Sequence, residues 1–164
     1  MRNKIYTKAL FAVYSLLLVW VVLLKLEFDI LAIEKTRALN LMPFYYEDVV
    51  EGDFPIFEAL ANLLVFLPFG IYLKILNCKN KKIILSGFLL SLVFETVQFV
   101  FELGKTDITD LITNTLGVIV GVLIYELLFK ACKRKEVLNK TLLILASIGT
   151  VLLIAFFAVL LACN

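Results

Sequence analysis

IILSGFLLSLVFETVQFVFEL, residues 83–103, is long enough to cross the ~30 Å hydrocarbon core of a bilayer as one helix, which takes roughly 20 residues. Its polar residues Ser91, Glu95, Gln98 and Glu102 recur at spacings of three or four, so a helix would carry them on one face. A carboxylic acid inside hydrocarbon costs roughly 2.5–3.5 kcal/mol at the bilayer centre, so that face cannot point at lipid. It requires further helices to cover it. Apolar runs at 58–75 and 111–129 flank the stretch, and two more lie beyond them at 9–24 and 141–163. Composition agrees: 62% of the 164 residues are hydrophobic and mean hydropathy is +1.00. Soluble domains sit near 45–50% apolar, so a water-soluble core of this size could not hide so much hydrocarbon. The expected fold class is all-α, a polytopic membrane helical bundle of about five transmembrane helices.

The first run follows Arg2, Lys4 and Lys8, as a signal peptide would. It ends on Lys25-Leu26-Glu27-Phe28, which lacks the small residues of a cleavage site, so the segment reads as a retained anchor. Basic residues near span ends favour the cytoplasmic side. They cluster in the N-terminal tail, between the second and third runs (Lys74, Lys79, Lys81, Lys82), and between the fourth and fifth (Lys130, Lys133, Arg134, Lys135, Lys140). The other side would hold only Lys25, Lys35, Arg37 and Lys105 of the sixteen. The bias predicts N-terminus in, C-terminus out, and an outer loop over 25–57 rich in acids such as Glu27, Asp29, Glu47 and Asp53. Residues 1–130 then form one membrane domain. Residues 131–164 supply a basic cytoplasmic loop and the fifth helix.

Several function classes drop out. The chain has no histidine, which excludes Ser-His-Asp and Cys-His nucleophile systems and histidine-ligated zinc. Cys78, Cys132 and Cys163 are far apart and read as unpaired. The net charge of +2 is spread as short membrane-flanking clusters with no single basic face, so nucleic acid is not an expected partner. Pro68 sits inside the second run and predicts a kink, because its ring removes a backbone donor.

Chemistry is confined to the outer half of the bundle. Glu95 lies about 12 Å below the outer end of the third helix at 1.5 Å per residue. Asp107, Asp110 and Asn114 form a second stripe at the outer end of the fourth helix, which Gly117 and Gly121 continue inward as a Gly-xxx-Gly contact face. Asn62 enters from the second helix, and Arg37 and Asn40 in the outer loop could cap the group. These residues predict one shared polar pocket. The plainer alternatives are interhelical hydrogen bonding for Asn62 and Ser91, and helix capping for Asp107 and Asp110 in the Thr106–Asp110 segment. Glu95 beside Gln98 is hardest to explain structurally, which favours function.

The chain resembles the VanZ-like family of bacterial membrane proteins. Four segments carry the likeness in order: Arg37-Ala-Leu-Asn40-Leu-Met-Pro43-Phe44; Asn62-Leu-Leu-Val-Phe66-Leu-Pro68-Phe69-Gly70; Ser91 through Glu95 to Gln98; and Asp107-Ile-Thr-Asp110-Leu-Ile-Thr-Asn114-Thr-Leu-Gly117. Members commonly have an arginine just before the first aspartate, where this chain has Gly104-Lys105-Thr106. The resemblance implies a multi-pass protein of the bacterial plasma membrane. It also implies a link to resistance against teicoplanin, a lipoglycopeptide acting at the outer membrane face on cell-wall precursors. On this reading the site binds or modifies an envelope lipid or lipid-linked precursor. Glu95, Asp107 and Asp110 are the acid/base or divalent-cation candidates; Arg37, Asn40, Asn62, Gln98, Lys105 and Asn114 would hold the ligand. Two alternatives stay open: a non-catalytic binding or immunity factor, and a small proton-coupled transporter using Glu95. Gly117 and Gly121 could also join two copies into a homo-oligomer.

Overall fold

The computed structural model describes residues 2–23, 36–44 and 55–163. Five helices and two short strands follow in the order α1 (Arg2–Leu23), β1 (Thr36–Asn40), α2 (Pro55–Ile75), α3 (Asn80–Phe101), β2 (Leu103–Asp107), α4 (Ile108–Cys132) and α5 (Lys135–Cys163). Among the described residues, Lys4–Leu23, Ile56–Ile75, Asn80–Phe101 and Ile108–Cys132 are long and apolar enough to cross a membrane. The fifth apolar run falls inside α5, a helix of 29 residues. The protein is a bundle of membrane helices.

Each helix begins before its apolar run, because helix geometry is indifferent to the snorkelling lysines and polar residues at its start. The expected basic loop after the fourth run is the clearest case. α4 continues to Cys132, Lys133 closes it in the left-handed conformation with φ 54°, and α5 begins at Lys135. The basic residues of this region are therefore mostly helical. At the other end of the bundle, Glu102 caps α3 in the left-handed region (φ 58°), with its N–H donating to the Gln98 carbonyl. It lies outside the helix, so the polar stripe of α3 ends at Gln98.

The two strands are absent from the sequence reading, which took the region before the second helix as a loop. β1 and β2 pair in parallel, with Thr36 opposite Leu103 and Asn40 opposite Asp107. A parallel pair needs a long crossover, and here α2 and α3 supply it. The ladder lies against the end of α3 and leads directly into α4.

α2 and α4 form the most extensive helix pair. Backbone meets backbone along it: a Cβ added at Gly117 would drive into the Leu63 carbonyl oxygen, one at Gly121 into that of Leu67, and one at Gly70 into that of Val118. In lipid, such close approach replaces the hydrophobic driving force that water would supply. The Gly-xxx-Gly face is thus occupied within the chain. Gly117 and Gly121 are buried against α2.

Phe66 on α2 and Phe94 on α3 meet edge to face, with ring centroids 6.2 Å apart, amid Leu18, Ile83, Val118 and Val122. A second cluster of Tyr72, Ile75, Tyr125, Leu138 and Leu143 seats the start of α5. α2 runs through Pro68 without ending, and the Tyr14 hydroxyl of α1 donates to the Val65 carbonyl in the turn before it at 2.7 Å. That bond ties α1 to the turn next to the proline; the carbonyl that Pro68 itself leaves without an N–H is the neighbouring one of Leu64. Large apolar side chains such as Leu16, Leu64, Leu85 and Leu127 remain exposed around the bundle, as a lipid-facing surface requires.

Candidate functional site

Asp107 is the residue on which the ladder end of the bundle converges. As the last residue of β2 it has extended backbone, φ −126° and ψ 126°, and as the N-cap of α4 its Oδ1 accepts from the Thr109 N–H at 2.8 Å. Its Oδ2 accepts from Asn40 Nδ2 at 2.9 Å, directly across the ladder. Its own N–H donates to Glu95 Oε2 on α3 at 3.0 Å. One aspartate thus ties β1, β2, α3 and α4 together. Asn40, Glu95 and Asp107 are all buried, at 8%, 5% and 8% exposed, so these bonds form away from solvent, where leaving a partner unmade is costly. The capping role weighed from the sequence and the burial of the acid are both present at this residue.

The hub is reinforced on either side. The Asn40 carbonyl oxygen of the side chain accepts from the Met42 N–H at 3.1 Å, and Thr109 Oγ1 accepts from the Phe44 N–H at 3.0 Å. Phe44 turns there with φ 57°. Thr106 Oγ1 reaches the Glu95 backbone carbonyl at 3.3 Å. Thr106 and Thr109 thus bond outside α4 as well as standing at its start. Their place at a helix start marks them as capping residues, but not the partners they take, because Phe44 and the Glu95 carbonyl come from distant segments.

The remaining candidates divide into neighbouring pairs. Asn114, fully buried, donates through Nδ2 to Ser91 Oγ at 2.9 Å, one turn below Glu95 on α3. Gln98 donates to the Val22 carbonyl of α1 at 3.0 Å. Asp110 faces the other way: its Oδ1 accepts from Asn62 Nδ2 of α2 at 2.8 Å, and the pair is only partly buried. The structure therefore brings Asn40, Glu95 and Asp107 into one bonded unit, and places Asn62 with Asp110 on the α2 side of the same α4 turn. The amide oxygens of Gln98 and Asn114 are buried without a hydrogen-bond partner. The backbone of Arg37 stands opposite Gly104 and that of Lys105 opposite Ala38; their side chains lie outside the described residues. Among the described residues, no three acidic or cysteine side chains gather where they could hold a metal ion.

A profile of the VanZ/LLP1 family matches residues 11–130, which span α1 to α4 and contain every member of this network. The chain belongs to the VanZ/LLP1 family. It is also similar to Protein VanZ of Enterococcus faecium, 38% identical over 164 residues, covering 94% of each chain. No solved structure matches it. Within the family-matched region, the four segments that carry the VanZ resemblance are the segments that meet at this end of the bundle: Asn40 from the first, Asn62 from the second, Ser91, Glu95 and Gln98 from the third, and Asp107, Asp110 and Asn114 from the fourth. A VanZ-family membrane protein is thus organised around an interhelical polar network capped by a strand ladder.

Proposed function

We propose that the ladder end of this bundle recognises the polar headgroup of an envelope lipid or lipid-linked cell-wall precursor, in the leaflet facing away from the cytoplasm, and that occupancy lowers sensitivity to teicoplanin-type lipoglycopeptides. The observation that carries this reading is the pair of buried, unpartnered acceptors, Gln98 Oε1 and Asn114 Oδ1, beside the Glu95–Asp107 unit. A buried acceptor without a donor forfeits roughly 1–3 kcal/mol, a cost that a hydroxyl- or amine-bearing headgroup would offset. The outward placement rests on the basic residues, which cluster around the opposite turns, Lys79 to Lys82 and Lys130 to Lys135. Arg37 and Lys105, at adjacent levels of the ladder, are the cations nearest in sequence for an anionic group.

Recognition fits the geometry better than acid–base turnover. Both carboxylate oxygens of Asp107 already accept hydrogen bonds that hold structure, and Asp110 is engaged by Asn62. In this reading they hold the framework that positions Gln98, Asn114 and Glu95. The test is teicoplanin susceptibility of cells with and without the protein, at matched membrane abundance. Glu95→Ala and Asn114→Ala, which remove the recognising groups themselves, are expected to return susceptibility to that of cells lacking it. Full protection by both variants would refute the site.

A further inference from the structure

The opposite end of the bundle carries a second polar concavity. Lys74 near the end of α2 pairs with Glu126 of α4 at 2.8 Å, and both bond Asn80 at the start of α3, at 2.9 and 2.8 Å. Lys74 by position is a topology signal, and Glu126, an acid inside an apolar run, carries the same warning as Glu95. Lys74 also lies 5.7 Å from the centre of the Tyr125 ring, whose hydroxyl holds Asn139 of α5 at 2.8 Å. Lys74, Tyr125 and Glu126 line a cavity of about 640 Å³ together with Asn77, Cys78, Lys130 and Lys135. Glu126 is matched by Lys74, which leaves Lys130 and Lys135 in excess; Lys135 is aimed at the neutral Asn77 amide. The cavity is cationic and of headgroup size.

An apolar groove of about 520 Å³ adjoins it between α1, α2 and α3. Phe11, Leu73, Ile83 and Leu90 line its length, and Cys78 and Lys82 stand at its mouth. Cys78 borders both spaces, so a polar chamber and a hydrocarbon groove share one wall. We propose that this juxtaposition is a binding site for an anionic phospholipid of the adjacent leaflet, its phosphate beside Lys130 and Lys135 and one acyl chain in the groove. Basic pockets between membrane helices recognise phosphate headgroups in this way, and the groove favours a lipid over free phosphate. The site is at the far end from the Asp107 network and rests on no part of the reading given for it.

The test uses the unmodified protein in nanodiscs, with maleimide modification of Cys78 followed by peptide mass spectrometry. Cys132, exposed at the same end but outside both spaces, is the internal reference for surface charge. Replacing phosphatidylcholine by phosphatidylglycerol is expected to slow Cys78 modification roughly 30-fold relative to Cys132, the effect of about two cations near an anionic lipid. Lys130→Gln with Lys135→Gln should abolish that difference, and Lys140→Gln should leave it intact. Equal slowing of both cysteines would overturn the proposal. So would full Cys78 protection by inorganic phosphate in phosphatidylcholine discs, which would mark a free-anion site.

Discussion

Gly121→Val is expected to leave almost no folded protein in the membrane. A Cβ at this position meets the Leu67 carbonyl oxygen and approaches the Gly70 Cα at 3.4 Å, so the obstacle is the backbone of α2, which cannot rotate away as a side chain could. α2 and α4 would have to separate, which would also pull Gly117 from Leu63 and Gly70 from Val118. Overpacking typically costs about 1–3 kcal/mol, and a rigid backbone contact belongs at or above the upper end. Gly→Ala normally stabilises a helix by about 1 kcal/mol, so even Gly121→Ala tests which term wins; the clash is expected to. Gly149 on α5 has nothing within 4 Å of an added Cβ, and Gly149→Ala should be neutral or stabilising by up to about 1 kcal/mol. Thermal unfolding in detergent checks both signs in one experiment.

The second large effect is at Asp107. Asp107→Ala removes the α4 cap, worth about 1 kcal/mol, and strands the buried Asn40 amide at a further roughly 1–3 kcal/mol. A total loss near 2–4 kcal/mol is expected, enough to detach β1 from β2. Asp107→Asn keeps one acceptor for two donors and should fall between. Protease susceptibility in the segment around residues 36–44 reports the detachment, since both Asn40 and the Phe44 N–H are tethered to the Asp107–Thr109 corner. Cleavage there should rise in the order wild type, Asp107→Asn, Asp107→Ala.

The sequence made the helices legible because apolar length and basic flanks are local signals, readable residue by residue. Ser91, Glu95 and Gln98 stood out for the same reason: a helical period places all three on one face, and all three are buried. The strand ladder was not readable. Thr36–Asn40 and Leu103–Asp107 are separated by two whole helices, contain no alternating apolar pattern, and pair because α3 and α4 bring them together. The shared pocket expected for Asn62, Glu95 and Asp110 divides into a Glu95–Asp107 unit and an Asn62–Asp110 pair, since α4 presents one residue to α3 and the other to α2. Periodicity gives a face to within a turn, and that tolerance is wider than the difference between two neighbouring helices. Gly70 likewise gave no signal beside Pro68, although its lack of a side chain completes the α2–α4 seam.

Everything assigned to the ladder end depends on β1 docking beside β2 in the register that sets Asn40 against Asp107. Disulfide formation in a background free of native cysteines measures it directly. Leu39→Cys with Thr106→Cys, register partners across the ladder, should cross-link readily under mild oxidation in membranes, because paired strands hold such positions within disulfide reach. Leu39→Cys with Lys105→Cys, one residue out of register and on the opposite face, should remain reduced. Equal yields from the two pairs, or none from the first, would contradict the ladder and with it the Asp107 hub.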